Sequence, residues 1–343
     1  MNLEESAYHA YPAWSYSLIA RYAKYGFSAL SNLNEPIVPT PEMKFGSLFD
    51  SFITRGKETL NLYAVYDGDI PVSEKKVMDY LASHCSAEEF SDIPESDILE
   101  AADYCSYYPK WGYNAKYSHL APFADYYRIA KSGKEIVDRN DWNDASAMMK
   151  VFRKDPYLKS LFGTEDTADV EYLYQTQFVV NYTLASGRVA KIKIMPDLIK
   201  VNHAEKTIQP VDLKTSSLPA YNFAENFVKM AYYIQAKLYS DVLEIVKNGD
   251  ENLKEYTILP YLFTDISRTD KVPVTYVYDQ TSLSQANGFT FTTSGKEYTY
   301  RSWQKLLDEI LEYQEKAAKV PSYISTTEPN NILNLIEYAK SIY

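Results

Sequence analysis

The sequence predicts an α/β (α+β) fold, a mixed central β-sheet flanked by helices with a helical N-terminal region. Three observations predict it. Apolar side chains recur at helical spacing through roughly the first half of the chain. Residues 171–182 and 187–200 then alternate apolar and polar with period two. Long amphipathic segments close the chain. With 343 residues, 46% of them hydrophobic and 24% charged, the chain can bury a large core. The helical region is expected over 1–165 and the sheet-bearing core with C-terminal helices over 166–343, the two forming one integrated domain.

The elements follow in order. Residues 14–31 carry Leu18, Tyr22, Tyr25 and Leu30 on one helical stripe, ending near Gly26 or in the following turn. After a Pro-rich connector, FGSLFDSFITRGKET reads as a second helix with Gly46 near its start. Several more helices are expected between 73 and 160, with Ser73 and Asp141 as N-caps. The two alternating stretches form a hairpin through the turn LASGR, and TIQPVDLKT adds a third strand after VNHAEK. A helix over 221–246, strands at YTILPYLFTD and VPVTYVYD, and two C-terminal helices, YRSWQKLLDEILEYQEKAAK and NNILNLIEYAKSIY, complete the chain.

Composition excludes several classes. The N-terminus has no basic-then-apolar leader and no run of eighteen apolar residues occurs, so a cytoplasmic protein is expected, with no membrane partner. Cys85 and Cys105 are too few for a four-cysteine zinc or iron–sulfur site and are expected as free thiols. A net charge of −11 argues against a passive nucleic-acid coat but leaves room for a local basic groove. The four histidines are scattered, which disfavours a zinc hydrolase. The 33 tyrosines cluster around 104–127, where they serve either packing or stacking on bases.

Chemistry concentrates in IKIMPDLIKVNHAEKTIQPVDLKTS. Asp197 and Asp212 each end a short apolar run on strands that read as neighbours. A buried carboxylate without a partner is unfavourable, so the pair suggests a cation between them. Two hard oxygen ligands suit Mg²⁺ or Mn²⁺, which keep several waters and bind substrate phosphates. Lys214, two positions after Asp212, shares its strand face and reaches the same cavity. Such a set suits metal-assisted phosphodiester hydrolysis, although a lone D-x-K triplet is also common on ordinary strand ends.

Pro196-Asp197 followed by Asp212-Leu213-Lys214-Thr215 resembles the signature of the PD-(D/E)xK nucleases. Gln235 and Tyr239 are similar to the Q-x-x-x-Y motif of its RecB, CRISPR-associated and phage-exonuclease branch, and lie four apart on one helical face. SYSLIARYAKYGFSAL is similar to that group's S-x-S-x-L-x-x-Y opening, and FGSLFDSF to its G-x-x-x-H helix, with Asp50 where the family has histidine. The resemblance covers roughly 14–320 and is strongest at 190–240. With two cysteines and no phosphate-binding GK[ST] loop, a stand-alone exonuclease of RecE-like or lambda-exonuclease-like type is the branch implied.

The resemblance implies a restriction-endonuclease-like core and a Mg²⁺- or Mn²⁺-dependent 5′–3′ exonuclease acting on duplex DNA ends. It implies metal ligation by Asp197, Asp212, the Leu213 carbonyl and Asp50, although Asp50 also reads as a plain helix-surface acid. Lys214 would position the attacking water, with Gln235 and Tyr239 orienting Lys214 or the scissile strand. Arg21, Lys24 and Arg55, and on a strand Lys191 and Lys193, are candidates for DNA contact, the last two equally read as an exposed strand face. Implied partners are a single-strand annealing protein and further copies of the chain, in the host cytoplasm if the protein is phage-encoded. A non-catalytic DNA-binding protein of the same fold, or an endonuclease, are the alternatives.

Overall fold

In the computed structural model, residues 5–31, 33, 35, 38–278, 288–293 and 295–319 are described. The chain divides into two compact units, Met1–Thr40 with Val151–Tyr343, and Pro41–Lys150. This differs from the expected division near residue 165, and the reason is packing. Ile19, Tyr22, Ala29 and Leu33 are buried in one cluster with the strand residues Ile192, Ile194 and Ile199, so the N-terminal segment belongs to the sheet-bearing unit.

That unit opens with α1 (Glu5–Ala10) and α2 (Tyr16–Tyr25). As the periodicity predicts, α2 stops at Gly26, whose φ of 56° falls where a Cβ would be strained.

The second unit holds α3 (Pro41–Thr54), α4 (Thr59–Leu62), β1 (Tyr63–Tyr66), α5 (Val72–His84), α6 (Glu95–Tyr104), α7 (Tyr113–Leu120), α8 (Ala124–Lys131), β2 (Glu135–Asp138) and most of α9 (Arg139–Lys154). Helix α3 begins at Pro41, well before Gly46, because proline's fixed φ suits the first helical turn, where its missing N–H is no loss. Two expected caps are corrected. Ser73 sits inside α5 and donates to Glu74 Oε2, and at the start of α9 the Asp141 N–H donates to Asp138 Oδ1 at 2.8 Å, so Asp138 is the capping side chain. The parallel pair β1·β2 is too short, four residues each, to show a period. Tyr107, Tyr126 and Tyr127 are buried among Val77, Met78, Leu81 and Phe90, so much of the tyrosine cluster serves packing.

The chain returns through α10 (Pro156–Leu161), capped by Asp155, which accepts from the Leu158 N–H. It continues as β3 (Val170–Tyr174), β4 (Phe178–Thr183), β5 (Val189–Ile194), β6 (Leu198–Asn202), β7 (Thr207–Ser216), α11 (Phe223–Lys229) and α12 (Tyr232–Asn248). β8 (Thr257–Ile258), β9 (Tyr261–Ser267), β10 (Pro273–Tyr278), β11 (Gly288–Thr293), β12 (Lys296–Arg301) and α13 (Trp303–Lys319) follow. The expected helix over 330–343 lies outside the described residues.

The central sheet has the order β10-β9-β7-β6-β3, with β8 also beside β7. β7 runs parallel to β8 and β9, and the other neighbours are antiparallel, so the sheet is mixed. Each of the two alternating stretches is in fact two strands. Gln175, at φ 47°, divides β3 from β4, and Met195-Pro196-Asp197 divides β5 from β6, proline having no N–H for a ladder. The expected hairpin through LASGR is β4·β5, a separate ladder, whereas β3 pairs with β6 in the main sheet. The expected helix over 221–246 is likewise broken, by Ala231 in the left-handed region.

Helices cover both faces of the sheet. On one, Ile234, Leu238 and Val242 of α12 pack with Ile199, Val201, Ile208, Tyr261 and Phe263. On the other, Tyr172 and Lys200, register partners on β3 and β6, both donate to the Ser160 carbonyl of α10, at 3.0 and 2.9 Å. No helix among the described residues is long and apolar enough to cross a membrane. Cys85 and Cys105 are both free thiols.

Candidate active site

The carboxylates converge because of register. The β6·β7 ladder ends at Leu198↔Val211, so Asp197 is the next residue out, opposite Asp212. Its Oδ2 accepts a hydrogen bond from the Leu213 N–H at 2.7 Å, replacing the ladder partner that β6 no longer provides. On β7, Asp212 and Lys214 share the face covered by α12, since strand side chains alternate.

Asp212 is 1% exposed and both its oxygens are engaged. Oδ2 lies 2.5 Å from Lys214 Nζ in an ion pair, and Oδ1 accepts from Gln235 Nε2 at 2.5 Å. Gln235 reaches it because Ala231, with φ 56° and ψ 39°, turns the chain into α12, whose first residues then face the sheet. One turn earlier, the Tyr232 ring centroid lies 4.7 Å from the Lys214 ammonium, a cation–π contact. Gln235 Oε1 is buried without a hydrogen-bond partner among the described residues.

The electrostatics are those of an ion pair whose carboxylate is buried and whose lysine is half-buried. Burial pushes the Asp212 carboxyl above the ordinary carboxylate range, against the pull of the Lys214 ammonium and the Gln235 amide. Burial also disfavours the Lys214 ammonium, but the Asp212 carboxylate, with Tyr232, Asp197 and Tyr16 nearby, outweighs it and holds the lysine charged well beyond its usual range. Tyr239, the second residue of the helix motif, is buried, and its phenol is pushed well up by burial and then by Tyr8, Asp212 and Asp197. Gln235 makes the direct contact, while Tyr239 stands behind it with its ring 6.2 Å from that of Tyr261.

A divalent cation fits this set in part. Each carboxylate has about four lone-pair sites, so Asp197 and Asp212 keep acceptor capacity beyond their present partners. The Leu213 carbonyl leaves the strand on the same edge as its N–H, toward Asp197. Among the described residues no group of three or more His, Cys, Asp and Glu comes together that could hold a metal ion by itself. Two carboxylates and a carbonyl match the open, water-rich coordination of Mg²⁺ or Mn²⁺ rather than a structural site, provided the Lys214 ammonium gives up Oδ2.

Lys193 is corrected: it is neither an exposed strand residue nor open to DNA. It is 5% exposed, its ammonium donates to the carbonyls of Tyr8, His9 and Tyr11 at 2.8, 2.8 and 2.9 Å, and burial lowers its pKa. The N-terminal segment crosses β5 there through the Trp14↔Ile192 bridge, a tertiary contact invisible in a strand pattern. Lys191 is exposed, with Nζ 5.6 Å from the centroid of Tyr11. Arg21 donates to the carbonyls of Leu33 and Glu35, at 3.0 and 3.2 Å, holding the connector after α2. Lys24 lies over the Tyr25 ring, and Asp50 and Arg55 belong to the second unit.

One polar side chain at the site was not singled out from sequence. Asp265 on β9 is the register partner of Lys214, 1% exposed, and its carboxyl is pushed up to about 6, chiefly by burial. The signal was a charged residue inside the apolar strand YLFTDIS, which reads as a strand end until the ladder is known. An open cleft of about 280 Å³, lined by Asp155, Tyr157, Leu158, Pro273, Thr275 and Val277, lies on the opposite sheet face, since Val274 and Tyr276 are the β10 residues in register with Asp265 and Phe263. Its single carboxylate already caps α10. Compared with known proteins, no family model matches this chain, and no curated protein matches it significantly.

Proposed function

We propose that this chain is a Mg²⁺- or Mn²⁺-dependent deoxyribonuclease, a 5′–3′ exonuclease that acts on duplex ends in phage-type recombination. The observation that carries the reading is the convergence of Asp197, Asp212, Lys214 and Gln235 at one end of β7. Asp197, Asp212 and the Leu213 carbonyl would hold the ion, which when bound polarises the phosphate and activates a water. Lys214 keeps its proton in this setting and supplies a fixed positive charge for orienting that water and for the charge that develops on phosphate oxygens. Gln235 holds Asp212 in place from the helix side. Cytoplasmic action with a single-strand annealing protein, as an oligomer, belongs to the same reading.

The test is cleavage of end-labelled linear duplex against covalently closed circles with Mg²⁺ or Mn²⁺. An exonuclease degrades the first and spares the second, cleavage of both indicates an endonuclease, and cleavage of neither overturns the reading. A second reading, a DNA-binding protein without activity, draws support from the engagement of both Asp212 oxygens by Lys214 and Gln235. It predicts DNA binding that is indifferent to divalent ions and to Asp212→Asn.

A further inference from the structure

We propose that Asp265 is a positioning residue of the same site, the anion that takes up the Lys214 ammonium when Asp212 engages a cation. The inference rests on the nuclease reading, because that reading asks Asp212 to serve two positive charges in turn. Four observations support it.

The first is placement. Asp265 pairs in register with Lys214 on the adjoining parallel strand, so the side chains leave the same face about one strand spacing, roughly 4.8 Å, apart. The second is an incomplete partner set. Asp265 is 1% exposed, and its Oδ1 has no hydrogen-bond partner among the described residues. The third concerns Ser216, whose Oγ lies 2.8 Å from the Leu218 carbonyl and 3.0 Å from Asp265 Oδ2. A hydroxyl has one proton and cannot donate to both. When it serves Leu218, the Asp265 carboxylate receives nothing from it. The fourth is the surrounding charge. Asp270 makes the Asp265 anion harder to hold, while the Ser216 hydroxyl and then the Lys214 charge make it easier, Lys214 being the cation among them.

A buried carboxylate this poorly supplied destabilises a fold unless a cation comes to it. Lys214 is that cation. In the structure its ammonium closes on Asp212, with the Tyr232 ring on another side. If Asp212 turns to a divalent ion, a lysine without a second anion would lose its proton or leave the sheet for solvent. Asp265 keeps it charged and beside the reacting phosphate.

A double-mutant cycle on melting temperature, in chelator and in an Asp212→Asn background, tests this without any activity. There Asp265→Asn lowers the melting temperature when Lys214 is present and leaves it level or raises it when Lys214→Met is also present. Additive effects overturn the proposal. On linear duplex with Mn²⁺, Asp265→Asn is expected to lower kcat at least tenfold with KM within twofold, to be partly rescued by Asp265→Glu, and to add nothing to Lys214→Ala. A proportional rise in KM, or a full further loss on top of Lys214→Ala, contradicts it. Should the wild-type protein cleave nothing, the nuclease reading fails, while the cycle still decides whether Asp265 is a partner of Lys214.

Discussion

Two lysines of the sheet-bearing unit turn their ammonium groups into the fold, Lys193 on β5, which is buried, and Lys214 on β7, which is half-buried, and their surroundings differ in kind. Lys193 spends its three donors on three carbonyls of the N-terminal segment. Those partners are neutral, so nothing offsets the burial that lowers its pKa, and every donor is satisfied. Lys214 faces a carboxylate, an aromatic ring and a second acid one strand away, and its neighbours Gln235 Oε1 and Asp265 Oδ1 lack hydrogen-bond partners among the described residues. A buried charge with a complete neutral shell is a structural clamp. A buried charge among unsatisfied polar atoms marks a place where the fold gives up stability for something else.

The largest expected effect separates the two directly. Lys214→Ala should keep the fold and abolish cleavage, a loss on the order of 10³-fold, as when one preorganised charge is removed from a site; retained activity on end-labelled duplex would break the comparison from the functional side. Lys193→Met should do the converse. It removes one donor from each of three carbonyls, of which those of Tyr8 and Tyr11 keep a backbone N–H partner, so a loss on the order of 1–3 kcal/mol is expected in denaturant titration, with kcat unchanged wherever the protein is folded.

The acid beside Lys214 sharpens the contrast through pH. Asp265 is raised from an ordinary 3.8 to about 6, so the folded state binds the proton more tightly than the unfolded chain does. Its favourable contribution is complete below about pH 4 and is lost as pH rises through 6. Asp265→Asn removes that dependence. Relative to the wild type it should therefore gain up to about 3 kcal/mol above pH 6 and nothing below pH 4, at 1.36 kcal/mol per pKa unit; parallel stability curves for the two proteins would refute the assignment. A smaller effect belongs to Gln235→Leu, which leaves Asp212 charged but unoriented and should lower cation affinity or rate by about 10–100-fold.

The comparison also shows what could be read in advance. Asp212 and Lys214 were legible as one strand face because strands repeat every two residues, and Gln235 only through the resemblance of its helix to the Q-x-x-x-Y motif. The mixed sheet with flanking helices was legible for the same reason. Asp265 was not, because only the β7·β9 register gives it to Lys214, and its strand alone looks like one more buried run. Lys193 looked like the exposed half of an alternating strand until Trp14 was found bridging Ile192 over it. The breaks at Gln175 and Ala231 require positive φ at residues other than glycine, which sequence seldom signals. The insertion of Pro41–Lys150 between two parts of one unit left no compositional seam.

Calorimetric titration with Mn²⁺ decides whether Asp197 and Asp212 share a cation. The wild-type protein should bind at the end of β7, Asp212→Asn should weaken that binding at least 100-fold, and Lys214→Met should preserve or tighten it by releasing Asp212 Oδ2. Equal Mn²⁺ affinity in the wild type and Asp212→Asn, or no binding to either, would contradict a shared cation at Asp197 and Asp212.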